Sequence, residues 1–347
     1  MLEKGQGMGR DLRRALLELL SSMQGKEVPQ SYLHRALNAS KSRISEILSE
    51  LEKEGLIERR VIGRSKIVYV KEGLAEAPIA RSPRVLRLGI VYSSEYLFLG
   101  YFASRMNEKG YRVEIRVYRD GLEATRSLAE GRIELALSPL VGQLYMYPLY
   151  RSYRVIAGGM TGGFKILGPS GESPSATLVY SSRLSTMDYV RSEYVEKAGL
   201  EGSVKTMYFK NPEAVANAKG YVVIWHPFYR ILEEKGLRDL TGKAGIEVGN
   251  CCTLAASNTL SDEVIALVRD AYMASISEYS RNPYRFLEYY SAVTGIPVSI
   301  LREAVSAYKP SPYIDGETVR RIVAKLGRSV PDQALYTEPL ANHDAGF

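Results

Sequence analysis

The run Ser40-Lys41-Ser42-Arg43-Ile44-Ser45-Glu46-Ile47-Leu48-Ser49-Glu50-Leu51 decides how the first part of this 347-residue chain is read. Ile44, Ile47, Leu48 and Leu51 recur at three- and four-residue spacing and so share one face of a helix. Asn38 and Ser40 stand where N-cap residues belong, and Gly55 closes the helix. Upstream, Leu12, Leu16, Leu19, Leu20 and Met23 predict an earlier helix stopped by Gly25. Pro29, placed as a first helical residue, opens a short second one over Tyr32, Leu33, Ala36 and Leu37. Downstream, residues 56–62 and 66–70 are β-rich and flank Gly63-Arg64-Ser65, which predicts a hairpin. Helix, short helix, capped helix and hairpin is the order of a winged helix-turn-helix, expected over residues 1–72.

In such a domain the N-terminal end of the third helix meets base edges and phosphates, and the hairpin flanks it. Lys41, Ser42 and Arg43 on the helix, with Arg59, Arg60, Arg64 and Lys66 on the hairpin, are therefore the candidate DNA contacts. Glu50, Glu52 and Glu54 fall at the far end of the helix, away from phosphate. Residues 1–72 hold 14 Lys and Arg against 10 Asp and Glu, so placement argues more for DNA than the sum does. The plain reading of these charges is a solvated surface that binds protein. The segment from Ser31 to Val70, with Leu51-Glu52-Lys53-Glu54-Gly55-Leu56-Ile57 and its basic hairpin, resembles the MarR-like winged-helix regulators. That resemblance implies double-stranded DNA as partner and a homodimer.

The length suits more than one domain, and a 45% hydrophobic content is ordinary for a globular chain. The net charge of +7 favours a polyanionic partner. Neither a signal-peptide core nor an uninterrupted apolar run of membrane-spanning length is evident, so a cytoplasmic location is expected. The two cysteines, Cys251 and Cys252, are adjacent, which fits a reducing compartment better than a disulfide framework. Residues 73–84 lose periodicity and carry Pro78 and Pro83, so the linker is placed there.

From Val85 onward strands and helices alternate: 85–92 a strand, 94–109 an amphipathic helix, 111–117 a strand, 122–130 a helix, 133–137 a strand. The expectation is a two-lobed α/β unit over residues 85–330 with parallel strands, followed by a tail over 331–347. The phrase from Tyr118 through Asp120-Gly121-Leu122 and Ile133-Glu134-Leu135-Ala136-Leu137-Ser138 to Pro139 resembles a segment of type 2 periplasmic-binding-protein domains. Later pieces are collinear with it: Val155 to Thr161, Ser185 to Tyr189, Ala218 to Trp225, and Gly249 to Ser257. The likeness is nearest to the branch that includes sulfonate-binding proteins and thiamine-pyrimidine synthases. It implies two lobes on a two-strand hinge with a ligand in the cleft.

Residues just beyond the carboxyl ends of strands should line such a cleft. Those are Ser93 and Ser94, Ser138 with Pro139, Gly159 to Thr161, and Trp225 with His226. Ser93 and Ser94, and likewise Ser185 and Thr186, are expected at helix N-termini, where unpaired N–H groups favour an anion; simple capping explains the same serines. Glu95 and Asp188 beside them would reward a cationic ligand instead. Trp225, the only tryptophan, offers a face for a heterocycle, although a strand-end aromatic is more often packing. His226, with no partner at ligand spacing, reads as a packed histidine. For Cys251 and Cys252 packing is favoured over metal or redox chemistry, because the chain has no Cys-x-x-Cys or His-x-x-x-His. The pyrimidine synthases carry a larger cysteine cluster at about this place. No nucleophile elbow, Walker loop or dinucleotide fingerprint stands out, and Gly158 to Gly163 reads as a tight turn. The reading is a homodimeric, non-enzymatic, cofactor-free transcription regulator sensing an anionic or heterocyclic metabolite. The alternatives are a pyrimidine-synthase-like enzyme, or a binding protein whose winged helix recruits protein.

Overall fold

The computed structural model describes residues 12–13, 15–20, 23, 26–62, 65–70, 84–169, 177–326 and 338–340. The chain divides into two units, Met1–Ser82 and Pro83–Phe347.

In the first unit residues 12–13 and 15–20 are helical. Strand β1 (Glu27–Pro29), helices α1 (Gln30–Ala36) and α2 (Lys41–Lys53), and strands β2 (Ile57–Ile62) and β3 (Ser65–Val70) follow. The strands form an antiparallel sheet in the order β1-β3-β2, with Val28 and Arg59 both opposite Val68. Alternate residues point to one face, so Val68 and Val70 are buried together with Val28 and Ile57 against Leu16, Leu20, Leu33, Ile44, Leu48 and Leu51. The Ser40 side chain caps α2 by accepting the Arg43 N–H at 3.3 Å. Gly55 leaves the helix with a positive φ of 77°, a backbone that L residues rarely adopt. Pro29 differs from expectation: it is the extended N-cap of α1 and ends β1, not the first helical residue. Asp11, Gly25, Gly63, Arg64, the linker 73–84 apart from Arg84, and the tail 331–347 apart from 338–340 lie outside the described residues.

The second unit opens with β4 (Arg84–Val91), α3 (Leu99–Glu108), β5 (Tyr111–Tyr118), α4 (Gly121–Ala129), β6 (Leu135–Pro139), α5 (Leu140–Tyr150) and β7 (Tyr153–Gly162). It continues with β8 (Phe164–Gly168), β9 (Leu178–Ser182), α6 (Thr186–Lys197), β10 (Lys205–Phe209), β11 (Tyr221–Trp225), α7 (Phe228–Glu234) and β12 (Arg238–Asp239). Strand β13 (Cys252–Ser257), α8 (Asp262–Arg281), α9 (Leu287–Thr294), α10 (Val298–Ala307), β14 (Tyr308–Ser311) and α11 (Gly316–Leu326) follow. Two sheets result, one ordered β14-β7-β13-β6-β4-β5 and the other β10-β9-β11-β8-β12. These are the two lobes.

The expected parallel pairing holds for β5, β4 and β6 and for β10, β9 and β11. Strand β13 runs antiparallel to β6 and β7, because it returns from the second lobe. The chain leaves the first lobe at Gly162-Gly163. A Cβ on Gly163 would lie 1.8 Å from the Tyr308 ring, and φ there is +67°, so the crossing needs glycine. It comes back through Cys251 into β13. A second correction concerns α3, which begins at Leu99 rather than Ser94. The intervening residues are drawn into the interior instead: Tyr96, Leu97 and Phe98 are buried in the core, and Phe98 meets Tyr272 edge-on at 5.2 Å. No helix among the described residues is long and apolar enough to cross a membrane.

Candidate functional site

The turn after β4 supplies the floor of a cavity between the lobes. Ser93, Ser94, Glu95 and Tyr96 are all buried, and neighbouring elements hold each of them. The Glu95 N–H donates to Ser93 Oγ at 3.1 Å, Ser93 Oγ meets the Tyr308 hydroxyl at 3.1 Å, and Tyr290 donates to the Ser93 carbonyl at 2.5 Å. Ser94 Oγ bonds His226 Nδ1, and the Ser94 N–H reaches the His226 carbonyl at 3.3 Å. Tyr96 donates to Cys252 Sγ at 3.1 Å. From the other lobe, Trp225 Nε1 donates to the Tyr92 carbonyl at 2.9 Å. The Thr186 hydroxyl donates to the Cys251 carbonyl at 2.5 Å. At the rim Arg119 pairs with Glu213 at 3.1 Å and lies over the Tyr92 ring. These bonds join the two lobes across the cavity.

The cavity they enclose has a volume of about 30 Å³, room for a few waters at most. Its walls are Val91, Ser93, Glu95 and Tyr96 from the first strand's end, and Gly121 and Pro139 from the start of α4 and the end of β6. Ser182, Ser185, Thr186 and Met187 come from the entry to α6, Trp225 from the end of β11, and Cys251 and Cys252 from the return crossing. The described lining includes no Lys or Arg.

Glu95 sets the electrostatics. Its Oε1 has no hydrogen-bond partner, and the carboxyl is cut off from solvent. Burial pushes its pKa up to about 8, against hydrogen bonds with Cys252 and Cys251 that pull it down. Glu95, Cys251 and Cys252 each offer a ligand atom, and these atoms lie within 4.8 Å of one another. Hydrogen bonding from Cys252 favours the Cys251 thiolate, yet burial and the Glu95 charge outweigh it and leave the Cys251 pKa raised. Burial holds the Cys252 thiol well above the ordinary range. Burial also lowers His226 to about 4, helped by Arg230 and Lys165. A pair of adjacent cysteines can face one cavity because Cys251 precedes the strand that Cys252 begins, so the two escape the alternation of β-strand side chains.

The structure brings together Ser93, Ser185, Thr186 and Trp225 of the expected ligand residues. Ser185 accepts the Asp188 N–H as the cap of α6 and donates to the Ser182 carbonyl at 2.6 Å. Ser93 and Ser94 are not at a helix N-terminus, since α3 starts later and both hydroxyls are spent on interior bonds. Ser138 points into a buried network with Thr125 at 2.9 Å and Gln143 at 3.0 Å, while its neighbour Pro139 lines the cavity. Gly159 sits where β7 and β13 meet: a Cβ there would fall 2.3 Å from the Cys252 carbonyl oxygen. Thr161 bonds the Val248 carbonyl beside the crossing. His226 backs the lining residue Ser93 without being a wall itself. Glu95 appears in the sequence only as a charge next to a serine. Nothing in the spacing joins it to cysteines so far along the chain.

On the first unit, Lys41, Ser42 and Arg43 are exposed at the N-terminal end of α2, and Arg60 and Lys66 are exposed on the β2–β3 pair. Arg43 pairs with Glu46 at 2.7 Å and Arg60 with Glu58 at 3.2 Å. Arg59 differs: its guanidinium grips Glu52 at 2.7 Å and Ser49 at 3.0 Å, which ties β2 to α2 and lowers the Glu52 pKa. Arg64 lies outside the described residues.

Residues 10–71 match the model of a family described as a domain of unknown function (DUF7343). No curated protein matches the chain in sequence. Among solved structures, the chain is similar to the alkanesulfonate-binding protein SsuA from Xanthomonas axonopodis pv. citri bound to MOPS, with 15% identity and a TM-score of 0.59 over 74% of this chain and 98% of that one. The periplasmic aliphatic sulphonate binding protein SsuA from Escherichia coli gives 14% and 0.58 over 74% and 97%. The Candida albicans CA3427 gene product, described as having the generic periplasmic binding protein fold, gives 12% and 0.58 over 74% and 94%. At this level of identity the likeness shows the fold: the two-lobed second unit has the type 2 periplasmic-binding-protein architecture.

Proposed function

We propose that the chain is a ligand-responsive transcription regulator: a cytoplasmic, non-enzymatic homodimer whose first unit is a MarR-like winged helix that binds operator DNA and whose cleft takes a small effector. One observation carries the reading. A helix with Lys41, Ser42 and Arg43 exposed at its N-terminal end, followed by an exposed basic hairpin, is joined in one chain to a two-lobed ligand-binding architecture. Exposed cations at that position suit phosphate contact, and their neighbours Ile44, Ile47 and Leu48 are fully committed to the core. Arg59 has a supporting role in this scheme, because its bonds to Glu52 and Ser49 fix the hairpin on the recognition helix.

The sulfonate of the structural relatives does not transfer to this cleft. An anion would face the Glu95 carboxyl and two thiols, with no Lys or Arg in the described lining to meet it. An effector that prefers one arrangement of the lobes shifts DNA affinity by no more than that preference.

The test is footprinting on the chain's own upstream region with the full-length protein. Protection should be lost in Arg43→Ala and weakened in Lys66→Ala, with a smaller dependence on salt in each variant. Protection that survives in an Arg43→Ala, Lys41→Ala double variant would sink the DNA-binding reading, as would a wild-type protein that binds that region no better than unrelated DNA.

A further inference from the structure

We propose that Glu95, Cys251 and Cys252 form a site for one thiophilic metal cation of the zinc class, seated between the end of β4 and the strand that crosses back from the second lobe. The inference names the class of occupant for the cleft in the proposed function and rests on the cleft being a ligand site, not on DNA binding.

Four observations converge. The donors are two sulfurs and a carboxylate oxygen within 4.8 Å of one another, and thiolate sulfur and carboxylate oxygen are both donors that zinc takes in tetrahedral sites. With metal–sulfur bonds of about 2.3 Å and metal–oxygen bonds of about 2.0–2.2 Å, tetrahedral donors sit roughly 3.5–3.8 Å apart. The cluster therefore needs a contraction of at most about 1 Å, within reach of side-chain rotation. Second, Glu95 is 2% exposed, Cys251 7% and Cys252 3%, and Glu95 Oε1 has no hydrogen-bond partner. A buried carboxyl with an orphaned oxygen and no Lys or Arg in the described lining is costly unless something positive arrives. Packing accounts for the cysteines and leaves this carboxyl unexplained. Third, a cavity of about 30 Å³ is the size of an ion with a water or another small fourth ligand, far below that of a typical organic effector. Fourth, a divalent cation with two thiolates and a carboxylate carries a net −1. Ser185, Thr186 and Met187, at the N-terminal end of the 12-residue α6, line the same cavity and bring the positive end of a helix dipole.

The position matters for regulation. Glu95 belongs to the first lobe, the cysteines to the return crossing, and Cys251 is bonded through its carbonyl to Thr186 of the second. An ion drawing the three donors together would tie the crossing to both lobes.

Cadmium is the probe. The full-length reduced protein, stripped with chelator and free of DNA, is titrated with Cd2+ while the ultraviolet thiolate-to-cadmium charge-transfer band is recorded. One equivalent should bind, with the absorbance of two thiolates per ion, and Zn2+ should displace it. Glu95→Gln should keep the band and bind more weakly by roughly tenfold or more, because a neutral amide oxygen replaces an anionic ligand. The Cys251→Ser, Cys252→Ser double variant should lose the band and the binding. A wild-type protein with no band at one equivalent would overturn the proposal, and so would Glu95→Gln with undiminished affinity. The band counts thiolates in the wild-type protein, so the result stands even if the double variant fails to fold. DNA is absent, so loss of metal binding and loss of operator binding are separate results.

Discussion

Replacing Glu95 by glutamine should make the metal-free protein more stable near neutral pH, and the gain should grow with pH. The folded-state pKa is raised from the ordinary 4.5 to about 8 by burial. A raised pKa means the carboxyl's contribution is full below 4.5 and is lost as pH climbs through about 8, because over that window the folded state keeps a proton that the unfolded chain releases. The loss runs at about 1.4 kcal/mol per pH unit, reaching about 3 kcal/mol at pH 7 and levelling near 5 kcal/mol above pH 9. Glutamine matches the protonated acid in shape and stays neutral. Less favourable hydrogen bonding by the amide offsets up to about 1 kcal/mol, which leaves a gain of about 2 kcal/mol at pH 7. The groups facing Glu95 are Cys251, Cys252, Tyr96, Tyr272, Tyr290 and Tyr308, all with pKa values raised above their ordinary ones, so none titrates below pH 8. His226, lowered to about 4, acts with the opposite sign: its contribution is full above 6.5 and is lost as pH falls through about 4. That histidine is present in both proteins and cancels in the comparison. The assay is urea unfolding of chelator-treated, reduced protein at pH 5, 6, 7 and 8, followed by the fluorescence of Trp225, the only tryptophan and a wall of the cavity. A stability difference that stays flat from pH 5 to 8, or a wild type more stable throughout, would refute the reasoning.

Three further outcomes follow from the same geometry. Gly159→Ala should cost about 2 kcal/mol or more in urea unfolding, because the new Cβ would meet the Cys252 carbonyl oxygen at 2.3 Å and backbone must move; cadmium affinity should fall with it. Trp225→Phe removes the 2.9 Å bond to the Tyr92 carbonyl that joins the lobes, so it should cost about 1–3 kcal/mol in thermal unfolding and speed hydrogen exchange along β11. Arg59→Ala should lower the melting temperature of the first unit and weaken footprinting only as far as the hairpin loosens, whereas Arg43→Ala should abolish footprinting at unchanged melting temperature.

The first unit was largely legible because its signals are local. A helix face at three-to-four spacing, a serine cap and a closing glycine lie within a few residues of the contacts they specify, and Ser40, Ile44 and Gly55 behave as their types predict. The strand Glu27–Pro29 leaves no mark in the sequence pattern, since it carries a single inward residue, Val28, and ends in a proline that also suits a helix start. In the second unit the order of strands and helices was readable, but the direction of β13 was not: a strand's partner depends on which lobe the chain has just left. Serines were the least informative letters. Ser93, Ser94, Ser138 and Ser185 all follow strands or precede helices, and all four spend their hydroxyls on interior bonds. A hydroxyl serves a cap, a network or a ligand equally well, and sequence position does not choose among them.

The acidic residue chooses where the serines do not. A buried hydroxyl is satisfied by almost any neighbour, whereas a buried carboxyl needs a proton, a cation or several donors, so Glu95 restricts what the cavity can hold far more than the serines around it. Its partners come from the return crossing, which the two-lobed topology places directly against the end of β4 through the β13–β6 and β6–β4 pairings. The two-lobed architecture thus presents a carboxyl and two thiols where the lobes meet and strand ends converge. The backbone sets where a ligand binds and the side chains at the crossing set its charge, which makes Glu95 the residue whose substitution most directly separates fold from ligand chemistry.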